Sequence, residues 1–470
     1  MSYTPGPGHE DHAAFVPSNG AGVSTPAGLP PVAPPTAGFL VRLFLVPAII
    51  VAIGVGAAFL FHLSFGWLLG SPGTPEQFLA KLDDNNAEVR WRAAADLSQV
   101  LLRDDRFASD PDFALELVKR LKQAREDTKA AEAEVAKHFP PLSPEEMDKL
   151  GDEAWLKRET ELERENKKLD GQRTYIQFLA ACLGNFMVPV GVPSLRDLAL
   201  QESGVEAGQL AEQRRRAMLA LAVLGENCKR FDKLTSVEQK IVFDKLEDAL
   251  ADPERADSTR EALTYFRKRQ ENVPDAMGVD LIAEKCAEAD DPFLRELTAF
   301  ALNFWSGNEA ANKRMEETLD RLAHDDGRST LTVEQLRARA RRNKLKGDTA
   351  TTISYTQPPE LNVKLNATIA LARRGSDKVS TGRLAEMLDE NKLRAQFLRE
   401  NIDTQKPEPD EGVVVQTITN ALKAVVELHK QRPEKITPAI RAGVDALKSN
   451  PNAAIKKEAE QTALAIGGGQ

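Results

Sequence analysis

The segment DDPFLRELTAFAL, residues Asp290–Leu302, decides how most of this 470-residue chain folds. Asp291 followed by Pro292 is a typical helix start, because an aspartate cap precedes proline at the first helical position. Arg295 lies one turn later, and Ala299 continues the apolar side of the predicted helix. A short helix of this kind cannot bury its apolar side alone, so the segment predicts packing against further helices.

The same pattern returns between residues 75 and 466. In each copy an apolar helix end precedes a turn with Asp, Asn or Pro, and a basic residue then lies early in a helix with Ala and Leu inside. The clearest copies contain Leu82-Asp83-Asp84, Leu250-Ala251-Asp252-Pro253, Asp290-Asp291-Pro292 and Asn450-Pro451. We expect Arg90, Arg260 and Arg295 to occupy equivalent places near the starts of second helices.

These copies resemble the HEAT repeat, a pair of antiparallel helices with an Asp- or Pro-containing turn and a basic residue early in the second helix. The resemblance covers most of residues 75–466, with irregular spacing. It implies an all-α fold in which helix pairs stack into an α-solenoid, with the second helices lining the concave side. The alternative is a non-repeating helical bundle whose Asp-Pro helix starts are ordinary caps.

Residues 43–69, LFLVPAIIVAIGVGAAFLFHLSFGWLL, contain no Lys, Arg, Asp or Glu. This run is longer than the ~20 apolar residues that a membrane-spanning helix needs. It predicts a single transmembrane helix within residues 39–70, so a membrane is one expected partner. Gly54 and Ala58 are four positions apart, and such a pair of small residues would permit a homodimer through close helix contact.

Residues 1–38 are rich in Pro and Gly and contain no Lys or Arg, which predicts a disordered tail. The three cysteines, Cys182, Cys228 and Cys286, lie in apolar helical patterns, so we expect buried free thiols. Free thiols are compatible with a reducing compartment, and the sequence therefore favours a cytoplasmic position for the part after the transmembrane helix.

Residues 113–170 are longer and more charged than a repeat needs. Ala114, Leu117 and Leu121 begin a narrow seam with alternating steps of three and four, which is typical of a coiled coil. Because Pro140-Pro141 must end this limb, we predict a helical-hairpin insertion within the solenoid. The alternative is two ordinary solenoid helices with a solvated insert.

Two further stretches read as exposed connections between helices. Residues 343–360 combine β-branched residues with Gly and a Pro pair, and residues 403–412 are polar and contain two prolines.

The sequence contains no phosphate-binding glycine loop, no HExxH motif and no CxxC motif. We therefore expect no catalytic residues, no metal site and no cofactor. His324-Asp325-Asp326-Gly327 is interpreted as a helix end followed by a polar turn. Asn366-Ala367-Thr368 has the form of a glycosylation site, but it lies in a predicted helix whose Ala367 faces the core.

A basic run interrupts this acidic chain, whose net charge is −9. Its members are candidate contacts for an anionic partner: Arg337, Arg339, Arg341, Arg342 and Lys344. The alternative is a solvated helix end whose cations suit the helix dipole. The acidic balance of the whole chain argues against nucleic acid as the main partner.

Together these features predict a membrane-anchored, HEAT-like scaffold that binds another protein and is not an enzyme. Two alternatives remain open. Some HEAT-like proteins resemble lyases that act on bilin chromophores, or DNA glycosylases, and either activity would need a polar cluster on the concave face. The other alternative is a structural component that tethers the membrane to another envelope layer.

Overall fold

The structure is a computed structural model that describes residues 74–140, 152–201, 207–325, 352–356, 360–401 and 406–467. The predicted tail at 1–38, the predicted transmembrane helix at 39–70 and the pair Gly54 and Ala58 lie outside these ranges. Within them, no helix has both the length and the apolar character that crossing a membrane requires.

Helices dominate the described chain. The first group is α1 (Pro75–Leu82), α2 (Ala87–Arg103), α3 (Asp105–Ala108), α4 (Pro111–His138), α5 (Asp152–Gly184), α6 (Val192–Ala199), α7 (Ala207–Asn227), α8 (Ser236–Ala249) and α9 (Ala256–Gln270). The second group is α10 (Val279–Cys286), α11 (Pro292–Ala301), α12 (Glu309–Ala323), α13 (Leu361–Arg373), α14 (Thr381–Glu386), α15 (Glu390–Gln396), α16 (Glu411–Gln431), α17 (Pro438–Leu447) and α18 (Ala453–Gly467).

A continuous first layer forms because each of its helices packs on the next in the order α2, α5, α7, α11, α13, α16 and α18. Hydrogen bonds hold the C-terminal ends of neighbouring helices together. Asn227 Nδ2 donates to the Gly184 carbonyl at 3.1 Å, and Gln431 Nε2 donates to the Arg373 carbonyl at 2.9 Å. Because like ends meet, neighbouring helices of this layer run parallel.

A second layer covers one side of the first. There α1 packs on α2, α4 on α5, α6 on α7, α12 on α13 and α17 on α18. The buried apolar side chains of both layers form one cluster that extends from Phe78 to Ile466. This arrangement is an α-solenoid, as the sequence predicts. The fold is assigned to the α-solenoid class because its helices pack in two layers.

Of the three arginines expected to be equivalent, Arg90 and Arg295 share a position in their helices but not their contacts: Arg90 lies over the Tyr175 ring, 5.4 Å from its centroid, and Arg295 pairs with Asp325. Arg90 and Arg295 are each the fourth residue of a first-layer helix, and each helix has a side-chain cap, from Asn86 and Asp291 respectively. The expectation for Arg260 is wrong. It is the fifth residue of α9, which is not a first-layer helix, and it forms an exposed ion pair with Asp257 at 2.8 Å.

Arg295 forms a buried ion pair that the sequence pattern does not predict. Its side chain is only 1% exposed, and its Nε donates to Asp325 Oδ2 at 2.7 Å. Its Nη1 donates to the carbonyls of Ala289 and Asp290 at 2.6 and 3.0 Å. Asp325 follows the end of α12, so the ion pair joins the start of α11 to the helix behind it. The turn after His324, predicted as a polar turn, thus begins with a buried residue, Asp325.

One small antiparallel β-sheet interrupts the all-α solenoid that the sequence predicts. Residues 352–356, predicted as a loop, form strand β1 (Thr352–Thr356). It pairs antiparallel with β2 (Phe397–Asn401), which pairs with β3 (Pro407–Pro409) inside the stretch predicted as a linker. Backbone pairing across more than forty residues has no local signal in the sequence, so periodicity could not identify it.

Helices α4 and α5 are 28 and 33 residues long, and they pack against each other. Arg173 Nε contacts Glu132 Oε1 at 2.9 Å, and Thr128 is buried in the same seam. Ala114, Leu117 and Leu121 are buried nearer the solenoid. Residues 141–150 lie outside the described ranges, and the assignment of residues 113–170 as an insertion stays a prediction.

We predict that Asp325→Ala lowers the free energy of unfolding by about 3–5 kcal/mol, because it leaves the Arg295 guanidinium buried without its counter-ion. The matched control is Asp257→Ala, which removes the exposed partner of Arg260 and should change stability by less than about 1 kcal/mol. Urea titration followed by circular dichroism measures both variants. Equal effects of the two substitutions would contradict a structural role for the buried pair.

Candidate protein-interaction surface

One face of α11 and of the turn after it presents aromatic side chains. Phe293 and Phe300 are two turns apart on α11, so they lie on one face, and Phe304 follows in the turn after the helix. Phe293 is 40% exposed, and Phe300 and Phe304 are partly buried against the core. The rings of Phe300 and Phe304 meet edge to face, with their centroids 5.1 Å apart. We call these residues, with Glu296 between them, the α11 stripe.

Basic side chains from α7 and the turn after it cover two of these rings. The Arg215 guanidinium lies 4.8 Å from the Phe293 ring centroid, and Lys229 Nζ lies 5.5 Å from the Phe304 centroid. Arg215 also binds the Asp291 carboxylate, Nε to Oδ2, at 2.6 Å. Exposed aromatic residues combined with arginine are enriched at protein interfaces.

The stripe ends in a cleft of about 290 Å³. Its walls include Tyr265, Val273, Phe304 and Trp305, with Arg269 at one side. The Tyr265 and Trp305 rings meet edge to face at 6.2 Å, and Val273 is 43% exposed. Asn272, Asp275 and Ser306 also line the cleft, so its walls are partly aromatic and partly polar. Its volume is close to the lower limit of ordinary ligand pockets.

The indole that forms one wall of the cleft is held in place. Trp305 Nε1 donates to the Leu221 carbonyl at 2.9 Å. Gly225 makes this approach possible, because a Cβ atom there would lie 2.7 Å from Trp305 Nε1. Asn272, another residue of the cleft, has φ +56°, a left-handed conformation that asparagine adopts more readily than most residues. Contacts within the chain itself thus hold this wall of the cleft in position.

Glu296 lies in the middle of the stripe. Asn366 Nδ2 donates to Glu296 Oε1 at 3.3 Å, and Asn362 hydrogen-bonds the same carboxyl group. Burial raises the pKa of Glu296 to about 7, although both asparagine amides act in the opposite direction. The structure thus places a carboxyl group with a strongly perturbed pKa on the face that carries the exposed aromatic rings.

The site residues predicted from the sequence are not among the residues that the structure describes. Arg337, Arg339, Arg341, Arg342 and Lys344 all lie outside the described ranges. Among the residues that are described, no group of His, Cys, Asp and Glu is arranged to hold a metal ion.

The three cysteines are buried and free, as expected. Burial raises the pKa of Cys228 to about 12 and also raises that of Cys182 and Cys286, so these thiols stay protonated and unreactive at neutral pH.

Sequence reasoning missed the stripe and its partners. Phe293, Phe300 and Phe304 are separated by seven and four positions in the sequence. Apolar residues at this spacing usually belong to the buried core. In the sequence, the only signal at Asn366 is the form of a glycosylation motif. Asn366 lies in α13 and Ala367 is buried, as predicted for this motif. The contact of Asn366 with Glu296 joins residues 70 positions apart, so the sequence gives no local signal for it.

Comparisons with known proteins add little to this picture. No protein-family model matches the sequence, and no curated protein matches it. Among solved structures, a designed armadillo repeat protein shares 12% identity, with a TM-score of 0.28, and the match covers 84% of this chain and 100% of that one. Human deoxyhypusine hydroxylase in complex with glycerol shares 13%, with a TM-score of 0.22, covering 84% and 96%. Similarity at these TM-scores carries no argument about fold or function.

We predict that Glu296→Gln stabilises the protein at pH 8 by on the order of 1–3 kcal/mol. A carboxyl group whose pKa is raised from its ordinary 4.5 to about 7 contributes stability at low pH, and this is lost as the pH rises through that interval. The variant has no such loss, so the difference should be small at pH 4 and full above pH 7. Urea titrations across this range measure it.

The control is Glu247→Gln on α8, where the side chain is exposed. Its effect should be near zero at every pH. A wild-type stability that follows the Glu296→Gln curve from pH 4 to pH 8 would contradict the raised pKa.

Proposed function

We propose that this protein is a membrane-anchored helical-repeat scaffold that binds a segment of another protein along the α11 stripe and has no catalytic activity of its own. The α-solenoid supplies a row of parallel helices, and such layers offer long surfaces for partner segments. The observation that supports the site is the partly exposed run Phe293, Phe300 and Phe304, which continues into the cleft at Trp305.

The composition of the surface supports binding of protein in preference to a small substrate. Rigid aromatic rings next to arginine form the hot spots of many interfaces, whereas catalysis needs convergent polar groups around a reacting atom. Glu296 is the acidic member of the stripe, and both of its known partners are neutral amides. The basic run from Arg337 to Lys344 remains a separate candidate contact for an anionic partner.

The anchor in this proposal is the charge-free stretch at residues 43–69. A stretch of this length and composition partitions into a bilayer because its side chains are apolar and a helix satisfies its backbone groups internally. We place the solenoid in the cytoplasm, where the free thiols of Cys182, Cys228 and Cys286 would stay reduced.

The first prediction for this proposal concerns the membrane. The full chain should stay with the membrane pellet after extraction at alkaline pH, because the anchor is held by apolar contact that carbonate does not weaken. Deletion of residues 1–73 should move the protein to the supernatant with its helical circular dichroism intact. Release of the full chain by carbonate would contradict the anchor.

The second prediction concerns the stripe. A photoactivatable benzoylphenylalanine at Phe300 should give a discrete crosslinked product in cells, while the same group at Ile241, which is 51% exposed on α8, should not. With the crosslinked partner purified, Phe300→Ala should weaken its binding about tenfold or more, as expected when an interface loses a central aromatic residue. Unchanged affinity for Phe300→Ala, with Ile241→Ala as the matched control, would contradict the assignment of this surface.

A further inference from the structure

We infer that the α11 stripe binds an extended protein segment with a lysine or arginine over Glu296 and an apolar residue four positions away in the cleft at Trp305. This inference rests on the proposed function and specifies the chemistry of the partner. It follows from the Glu296 carboxylate, which has no counter-ion among the described residues, from the aromatic rings beside it, from the size of the cleft, and from the distance between Glu296 and the cleft.

The basic side chains that border the stripe on α7, on α9 and in the turn after α7 have carboxylate partners. Arg215 binds Asp291, Lys229 binds Glu226 at 3.0 Å, and Arg269 binds Asp232. Glu296 has hydrogen bonds from two asparagine amides, but no cation of the described chain lies within ion-pair distance of its carboxyl group. A largely buried carboxylate without a counter-ion is costly, and the pairing of Glu296 with an incoming cation would remove that cost.

The neighbours of Glu296 suit such a cation. Phe293 and Phe300 lie about one helical turn to either side of it, so their rings are within reach of the same incoming side chain. Lysine and arginine have apolar stems that pack on aromatic rings, and their charged ends are attracted to the ring faces. An acidic or purely apolar side chain would leave Glu296 repelled or unpaired.

The cleft selects the second feature of the partner. Its volume of about 290 Å³ admits one large side chain, which can pack on the rings of Tyr265, Phe304 and Trp305 beside the polar residues that also line the cleft. The cations at its side are already neutralised by Glu226 and Asp232, so the cleft itself has no free charge to attract a carboxylate. A leucine, proline or aromatic side chain matches this environment.

The spacing follows from helix geometry. Glu296 and Phe304, which forms one wall of the cleft, are eight positions apart. α11 ends at Ala301, and hydrogen bonds of the 3₁₀ type continue the turn to Phe304. At rises of ~1.5 Å in the helix and ~2.0 Å in the turn, the distance is about 13 Å. An extended chain covers that distance in about four residues at ~3.3 Å each. The stripe is the width of one helix, bordered by α7 and α13, so an extended segment along it reaches both points.

A random dodecapeptide library displayed on phage, selected against the full chain in detergent micelles, tests the inference. We expect enriched peptides to carry Lys or Arg and a large apolar residue four positions apart, in either order. Selection on Glu296→Gln should lose the basic residue, with at least a tenfold fall in its enrichment, and keep the apolar one. Selection on Phe304→Ala should weaken the apolar preference. Glu247→Gln and Ile241→Ala serve as matched controls and should behave like the wild type.

Other outcomes overturn the inference in distinguishable ways. Peptides with apolar residues only, or a basic preference that survives in Glu296→Gln, would refute the Glu296 subsite and leave the proposed function standing. No enriched peptide that depends on Phe304 would refute both. A basic preference that appears only after the chain's own basic run is changed to glutamine would show that this run, and not a partner, occupies the subsite: Arg337, Arg339, Arg341, Arg342 and Lys344.

Discussion

The carbonyl groups at the end of a helix have no partner inside that helix, and burying them unpaired is unfavourable. In this solenoid the next helix of the first layer supplies the donor at several junctions. Asn227 donates to the Gly184 carbonyl, Gln431 to the Arg373 carbonyl, and Arg374 Nη1 to the Leu302 carbonyl at 3.2 Å. Each of these bonds fixes the axial position of one helix relative to its neighbour. The parallel layer, and with it the position of α11 between α7 and α13, depends on this alignment.

Small side chains make the alignment possible. A Cβ atom on Gly184 would lie 2.9 Å from the backbone of Ala220, so α5 and α7 approach more closely than larger residues would allow. Ala217 and Ala222 are also fully buried on α7. Helices packed this closely leave little room for large residues between them. Gly225 of α7 has the same role at the junction with α11, because a Cβ atom there would lie 3.1 Å from the Phe304 Cβ atom.

The sequence predicts the features that depend on local chemistry. The helix start at Asp291 and Pro292, the burial of the cysteines and the stacking of helices all follow from residue type and spacing. The sequence does not predict what depends on contacts between distant residues, such as the Arg295–Asp325 pair, the strand pairing of β1 with β2, and the link from Asn366 to Glu296. Arg260 shows the limit of pattern matching, because the sequence around it resembles that around Arg295 but lies on a helix outside the first layer.

The bonds between helix ends also set the order in which the protein can assemble. The bond from Asn227 spans 43 residues, that from Gln431 spans 58, and that from Arg374 to the Leu302 carbonyl spans 72. Each can therefore close once the next helix of the first layer has been synthesised, without waiting for the end of the chain. Contacts of this limited range favour folding that starts at one point and spreads to neighbours. A ribosome releasing this chain would thus add finished helices one after another to a solenoid that is already in place.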